Sequence, residues 1–413
     1  MAKDKGKPNK TILASTTSSS VASAKKVTSR NHIIKKISDD DWNSFDQLKK
    51  WHNDNFKDKK MTFRKFFKLM NTYSPLIQSL MQLPPEDSPL QRIGVHTAMG
   101  LAPMWVKNIG NNVNRIKAEK DISELFNMYK DKDKAALVVG AGPSLYDNAS
   151  RTNHLETIQK YAEDFNGIII VVDRILPDCL RLGIGDYFTV VDGSEVIKQF
   201  FDNDIVRQYN IDLGLPEHTE KYMYKWITED TKIKIPIMKG FMATCTHPTV
   251  VNSWKGQIYF YVPTIPQEIL PNASSLMCDF TGNSEINAGG NCGMLAWNLA
   301  KWMGCKEVAL CGIDYSYKIT DDLTKTTNWA QFSRNTTPEQ AMKCYKKGFN
   351  PDFDTPYIID DLYAAFRTAC FNYFTEYNKH ESYTYNCSEG GALHHESIKP
   401  MYLEEFLKSH LKK

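Results

Sequence analysis

Ala135-Ala136-Leu137-Val138-Val139-Gly140-Ala141-Gly142-Pro143-Ser144-Leu145 is the stretch on which the reading of this chain turns. An apolar, valine-rich run without polar alternation fits a strand buried on both faces. Gly-x-Gly-Pro-Ser then supplies a tight turn, and helical sequence comes after it. Glycine lets the backbone approach a ligand closely, and the free N–H groups and dipole of a helix N-terminus favour negative charge. The expectation is a turn in which Gly140, Gly142, Pro143 and Ser144 hold a phosphate-bearing ligand.

The same logic repeats outward. Gly167-Ile168-Ile169-Ile170-Val171-Val172-Asp173 is a second apolar run closed by a carboxylate, and a short helix at 176–182 stops at Gly183. A third strand at 187–191 ends in Asp192-Gly193. Strands without alternation, separated by helices, imply a parallel sheet covered on both faces. Right-handed crossovers put the turns after these strands on one sheet edge, so 140–144, Asp173 and Asp192 are expected to share a crevice. Further strands are expected at 233–238 and 257–262. Asn287-Ala288-Gly289-Gly290-Asn291-Cys292-Gly293 opens a helix running to Gly304, and a strand at 307–313 leads into Asp314. A polar stretch at 315–355 reads as a mobile lid or insertion. A helix at 360–377, a strand at 383–387, the turn Ser388-Glu389-Gly390-Gly391 and a helix at 400–411 close the chain.

Ahead of that domain the sequence changes character. Residues 1–30 are basic and Ser/Thr-rich with few apolar side chains, which predicts a disordered tail. Residues 31–130 read as an all-helical accessory region, with amphipathic stretches at 38–51 and 63–70 and a helix at 103–130. Residues 131–413 read as the main domain. The fold class is therefore α/β: a Rossmann-like, mostly parallel sheet with helices on both faces, preceded by a helical region.

Composition bounds the function. The 413 residues are 42% apolar, 12% aromatic and 24% charged, with a net charge of +3, which excludes neither catalysis nor binding but gives no nucleic-acid footprint. No apolar run approaches the roughly 20 residues that span a bilayer, and the N-terminus lacks the apolar core of a secretory signal. Nine scattered cysteines without a Cys-x-x-Cys pair fit free thiols in a reducing, cytoplasmic interior, not a zinc site or a disulfide framework. The oligomeric state is not readable.

The candidate chemistry lies at strand ends. Asp173, Asp192 and Asp314 each come directly after an apolar strand, where a carboxylate binds a cation or a ribose hydroxyl, takes a proton, or caps the next turn. His394 and His395 after Gly390-Gly391 are the most base-like imidazoles, with His247 in Thr244-Cys245-Thr246-His247-Pro248 next. Leu145 replaces the third glycine of a dinucleotide fingerprint, and no P-loop, zincin or nucleophile-elbow motif is present.

Taken in order, Val138 to Leu145, Val171-Val172-Asp173, Leu182 to Gly193, Gly289 to Gly293, Cys311 to Tyr317 and Tyr385 to Ala392 resemble the 6-hydroxymethylpterin diphosphokinase MptE-like family, which includes the motility-associated factor (Maf) glycosyltransferases. The resemblance covers most of 135–395 and implies one of two activities. The diphosphokinases move a diphosphate from ATP with Mg²⁺ on paired carboxylates near the third strand's end. Here Val190-Val191-Asp192-Gly193 lacks the first of them, leaving Asp192 alone for the metal. The Maf-like enzymes transfer a nonulosonic sugar from a CMP donor to a protein Ser/Thr, and the late glycine segments look more like that branch.

The favoured expectation is accordingly a Maf-like glycosyltransferase with a nucleotide-sugar substrate, a protein or other hydroxyl acceptor, and no cofactor assigned. Gly140, Gly142, Pro143 and Ser144 would hold phosphate, and Asp173, Asp192 and Gly193 would bind ribose or sugar. Gly289, Gly290 and Asn291 would form the facing wall. Asp314 or His395 would take the acceptor proton, with Glu389 orienting the imidazole. The alternatives are an ATP- and Mg²⁺-dependent diphosphokinase and a member that binds a nucleotide without turnover.

Overall fold

Among the described residues, parallel pairing alone joins ten strands into one sheet. They are β1 (Lys120–Asp121), β2 (Ala135–Val139), β3 (Gly167–Val172), β4 (Tyr187–Val190), β5 (Lys239–Ala243), β6 (Ile258–Pro263), β7 (Glu285–Ile286), β8 (Glu307–Cys311), β9 (Tyr383–Asn386) and β10 (Lys399–Pro400). Their spatial order is β1-β6-β5-β4-β3-β2-β8-β9-β10, with β7 beside β6. The chain thus runs outward from β2 on one side and returns at β8 on the other, which makes the β2/β8 junction the topological switch point. The computed structural model describes residues 89–412 other than 216–217, 219–220, 229–230, 266–271, 327, 335 and 379–382. The expected tail at 1–30 and the helices at 38–51 and 63–70 lie outside the described residues.

Helices cover both faces. They are α1 (Pro89–Ala118), α2 (His154–Tyr161), α3 (Leu176–Leu182), α4 (Lys198–Phe201), α5 (Asp204–Asp212) and α6 (Pro248–Ser253). After them come α7 (Ala273–Thr281), α8 (Cys292–Trp302), α9 (Trp329–Ser333), α10 (Pro338–Met342), α11 (Asp361–Asn378) and α12 (Leu403–Ser409). On one face Leu137, Val139, Ile169, Val171 and Phe188 pack with Leu155, Leu176, Trp254 and Phe406. On the other, α8 lies across β2, β3, β4 and β8, and its Trp297 meets Phe374 of α11 at 5.0 Å while donating to Thr384 Oγ1 at 3.0 Å. Every residue of β2 is buried, which explains its lack of alternation; Leu137, Val138 and Val139 each contribute roughly 1.5–3 kcal/mol.

Three expectations are corrected. The helix expected at 103–130 starts at Pro89, encloses Pro103 and stops at Ala118. Asp121 then accepts from Ser123, Asn283 and Ser284, and Lys120–Asp121 pairs with β6, so tertiary hydrogen bonds override the apparent helical period of Ile122 and Leu125. The described residues belong to one compact unit, in which α1 lies with the sheet.

The strand expected at 233–238 is displaced as well. Thr231–Pro236 pairs antiparallel with Tyr222–Thr228 in a separate hairpin, and the sheet strand is β5. Gly240 hides β5 in the sequence, yet is needed there because a Cβ on it would meet Phe188 at 2.7 Å. Finally, residues 315–355 are not structureless. They hold α9, α10 and the first strand of the hairpin Tyr345–Asn350/Thr355–Asp360. Buried Asp360 anchors the segment by accepting from Tyr317 at 2.7 Å, Asn328 at 2.8 Å and the Tyr363 N–H at 2.7 Å.

Candidate functional site

The two glycine-bearing turns at the switch point fit directly into one another. Gly140 N–H donates to Cys311 O at 2.7 Å and Gly142 N–H to Gly312 O at 2.8 Å. Ser144 donates its N–H to Asp314 Oδ2 at 2.8 Å and its hydroxyl to Oδ1 at 2.6 Å. A Cβ on Gly140 would lie 2.2 Å from Gly312 O, and one on Gly142 would lie 2.4 Å from Asp314 Oδ2. The glycine turn leads into a single 3₁₀ turn, Pro143–Leu145, and not into a long helix. The glycines, Pro143 and Ser144 therefore build a closed contact, and the anion at that turn is the chain's own Asp314. This corrects the phosphate-cradle expectation: its donors are already committed.

Asp314 is 3% exposed. Burial pushes its carboxyl above the usual carboxylate range, with the Ser144 hydrogen bonds and the nearby His154 pulling back. Its carbonyl also accepts from Ala392, and Gly391 passes so close that a Cβ there would meet Asp314 Cα at 2.9 Å. Both of its side-chain oxygens are thus engaged by Ser144.

A second carboxylate of the same sheet edge lies one strand further on, at the end of β3 beside β4. Asp173, the first residue after β3, accepts from the Arg174 N–H at 2.8 Å and faces Cys292 Sγ at 3.6 Å. Burial, with the field of Asp192 added, pushes its carboxyl up to about 6. Cys292 opens α8, where burial and Asp173 hold its thiol protonated, so it donates. Gly289 and Gly290 both have positive φ, 62° and 84°, which bends the chain into that helix start. Asn291 caps the helix by accepting from Met294 N–H at 3.0 Å and also accepts from Tyr315 Oη at 3.1 Å, leaving its buried Nδ2 without a partner. Thr189 of β4 donates to Cys292 O at 3.2 Å and pins the helix start to the strand. Asp192 is exposed, its oxygens accepting from Ser194 N–H at 2.7 Å and Ser194 Oγ at 3.0 Å. The structure thus gathers Asp173, Asp192, Asn291 and the 289–290 glycine turn in one place.

Gly193 is not part of an open cradle. It is buried against Trp105 of α1, and its carbonyl accepts from Asn108 at 2.8 Å. Asn108 also donates to Cys245 O at 2.9 Å, and Asn112, one helical turn on, to Thr244 O at 3.2 Å and Thr246 O at 2.7 Å. Two asparagines on α1 therefore fasten the turns after β4 and β5. Their i, i+4 spacing on an apolar face is the signal available in the sequence.

The histidine expectations change too. Glu389 does not orient His395. It is 2% exposed, faces His154 Nε2 at 3.2 Å, and accepts from the N–H of Ser150 at 3.1 Å, the Ser150 hydroxyl and the N–H of Leu403 at 3.0 Å. His154 in turn meets Cys311 Sγ at 3.4 Å. These bonds hold Glu389 at φ 56°, a left-handed conformation that costs about 1–2 kcal/mol for a non-glycine residue. His395 is exposed, stacks on Phe371 at 4.5 Å and accepts from the Ser397 N–H of its own turn at 3.1 Å. His247 caps α6. Sequence reasoning missed His154, which no motif marks, and the pairing of Cys292 with Asp173, although Cys292 lies within the Asn287–Gly293 turn.

The family model for the 6-hydroxymethylpterin diphosphokinase MptE-like family matches residues 107–320, and the chain belongs to that family. Among solved structures it is similar to a Maf glycosyltransferase from Magnetospirillum magneticum AMB-1, at 14% identity and a TM-score of 0.45. That likeness covers 78% of this chain and 44% of the other, so the chain spans less than half of that protein's length. No curated protein matches. Among the described residues no helix is long and apolar enough to cross a membrane.

Proposed function

We propose that the chain is a transferase that takes a nucleotide-linked donor into the crevice above β3 and β4 and passes a sugar to a hydroxyl acceptor. Asp173 carries the reading. It is a buried carboxylate at the C-terminal edge of a parallel sheet, with a pKa of about 6 close to the working range of a general base. Asp192 and the start of α8 frame it, and the dipole of a helix N-terminus favours a phosphate's charge. In the reaction the donor's sugar–phosphate bond breaks, the acceptor oxygen bonds the sugar, and the acceptor proton passes to Asp173. The nucleotide then leaves with its phosphate. The resemblance to Maf-like enzymes supports a CMP-linked nonulosonic acid as donor and a protein Ser/Thr as acceptor.

The diphosphokinase alternative needs Mg²⁺ beside Asp192. Val190, at the place of the first carboxylate, is fully buried with its carbonyl accepting from Tyr261 at 3.0 Å, and both Asp192 oxygens are bonded to Ser194. Among the described residues no group of three His, Cys, Asp or Glu side chains is arranged to hold a metal. These residues do not fit the paired-carboxylate site.

A melting-temperature screen of CMP, CDP, ATP and NAD, with and without Mg²⁺, tests the reading, because a ligand of the folded state raises the melting temperature. A Mg²⁺-independent shift with CMP, lost in Asp173→Ala, is expected. A shift that requires ATP and Mg²⁺ together would overturn it.

A further inference from the structure

We propose a second binding site beside the crevice, in which Arg367, His394 and Tyr357 hold an oxyanion, the carboxylate or phosphate of an acidic ligand. Arg367 lies on α11 and donates from Nη1 to Tyr357 Oη at 3.3 Å. Its guanidinium lies 5.9 Å from the Phe371 ring, and its Nε is buried with no hydrogen-bond partner. Among the described residues no carboxylate pairs with it, although a guanidinium offers five donors in a planar fork that matches an oxyanion.

The surroundings point the same way. His394 Nε2 meets Tyr357 Oη at 3.1 Å, so the phenol links the imidazole to the guanidinium. Thr355, two residues before Tyr357 on the same strand and hence on the same face, has a buried Oγ1 without a partner. His395 stacks on Phe371 and brings a second imidazole to the cluster. Burial lowers the pKa of His394, the fields of Arg367 and His395 lower it further, and Asp352 opposes them. Unspent donors from two elements, gathered around an arginine without a counter-ion, call for an anion.

The position relates the cluster to the crevice. Phe366, the neighbour of Arg367 on α11, packs so tightly on the glycine turn that a Cβ on Gly290 would meet its ring at 2.9 Å. Tyr373 on the same helix accepts from Asn287 at 2.7 Å. One rigid helix therefore runs from the wall of the crevice to Arg367. The oxyanion site stands on its own residues and does not require the transferase reading.

Isothermal titration of the full chain with inorganic phosphate and, separately, with acetate tests the proposal. At least one is expected to bind, with affinity reduced tenfold or more in Arg367→Met and in His394→Gln. A response to phosphate identifies a phosphorylated ligand, and a response to acetate alone a carboxylate. Arg367→Lys, which keeps the charge and lacks the fork, is expected to fall between. Melting curves without anion establish that each variant is folded. Binding of neither anion, or affinities in folded Arg367→Met within twofold of the parent, would overturn the site. CMP binding monitored in the same samples reports on the crevice separately, so loss of that response with anion binding intact would count against the transferase reading alone.

Discussion

The Asp314 carboxylate and the Ser144 side chain meet at 2.6 Å across the switch point of the sheet, with the Ser144 N–H on the other carboxylate oxygen at 2.8 Å. A carboxylate from β8's turn thus occupies the place that a ligand's phosphate takes in open glycine turns. Asp314→Ala leaves the Ser144 donors buried and unpaired, at about 1–3 kcal/mol. The expected result is a lower urea midpoint with unchanged slope. Ser144→Ala should cost less, because it removes only one of the two bonds.

Gly140 and Gly142 at this junction are needed for space and not for φ. Gly140→Ala brings a methyl 2.2 Å from Gly312 O, backbone that cannot yield, and should cost about 3 kcal/mol. Gly282→Ala meets nothing within 4 Å and is strained only by its φ of +79°, so about 1–2 kcal/mol is expected. Equal losses in a denaturation series would refute the close-packing account.

Asp173 makes opposite demands on activity and stability. Its folded pKa of about 6 lies above the ordinary 3.8, so the folded state binds the proton more tightly than the unfolded chain. The stabilisation is fully present below about pH 3.8 and is lost as pH rises to about 6, a swing of about 3 kcal/mol for a group 7% exposed. Asp173→Asn should therefore be more stable than the parent at pH 8, with no such gain near pH 4. Transfer by the parent should rise through pH 6 and be lost in the variant.

Glu389 titrates in the other sense. Burial raises its pKa, but the hydrogen bonds from His154, Ser150 and Leu403 outweigh that and hold it below the ordinary 4.5. A depressed carboxylate contributes stability above its unfolded pKa and loses it as pH falls through the folded value. Acid unfolding below pH 4.5 should be shallower in Glu389→Gln than in the parent. At pH 7 the variant should be less stable by about 1–3 kcal/mol, because an amide oxygen accepts the Ser150 and Leu403 hydrogen bonds more weakly than a carboxylate does. A parallel pair of stability–pH curves would contradict this.

The clamp of α1 on the turns after β4 and β5 gives a local test. Asn108→Ala leaves the carbonyls of Gly193 and Cys245 without their donor, at about 1–3 kcal/mol. Hydrogen exchange at 192–195 and 244–246 should quicken while β2 keeps its protection.

The central sheet is legible in the sequence because strands buried on both faces cannot alternate, and runs such as 167–172 leave no other assignment. The placing of 140–144, Asp173 and Asp192 on one edge comes from crossover handedness alone. What sequence does not supply is the partner of each polar group. By position in the chain Asp314, Glu389 and His395 look like one catalytic set, yet their hydrogen bonds lead to Ser144, His154 and Ser397, the first of these 170 positions from its partner. Strand β5 is hidden because Gly240 answers to a ring on the neighbouring strand. The end of α1 is hidden because Asp121 bonds to Ser284.

The 2.4 Å between a Cβ on Gly142 and Asp314 Oδ2 carries a consequence for how such sequences change over time. A side chain at 142 is excluded only while the aspartate is present, and the aspartate is useful only while Ser144 offers its donors. The three positions should drift together, so relatives that replace Asp314 are the ones in which 142 is released from glycine.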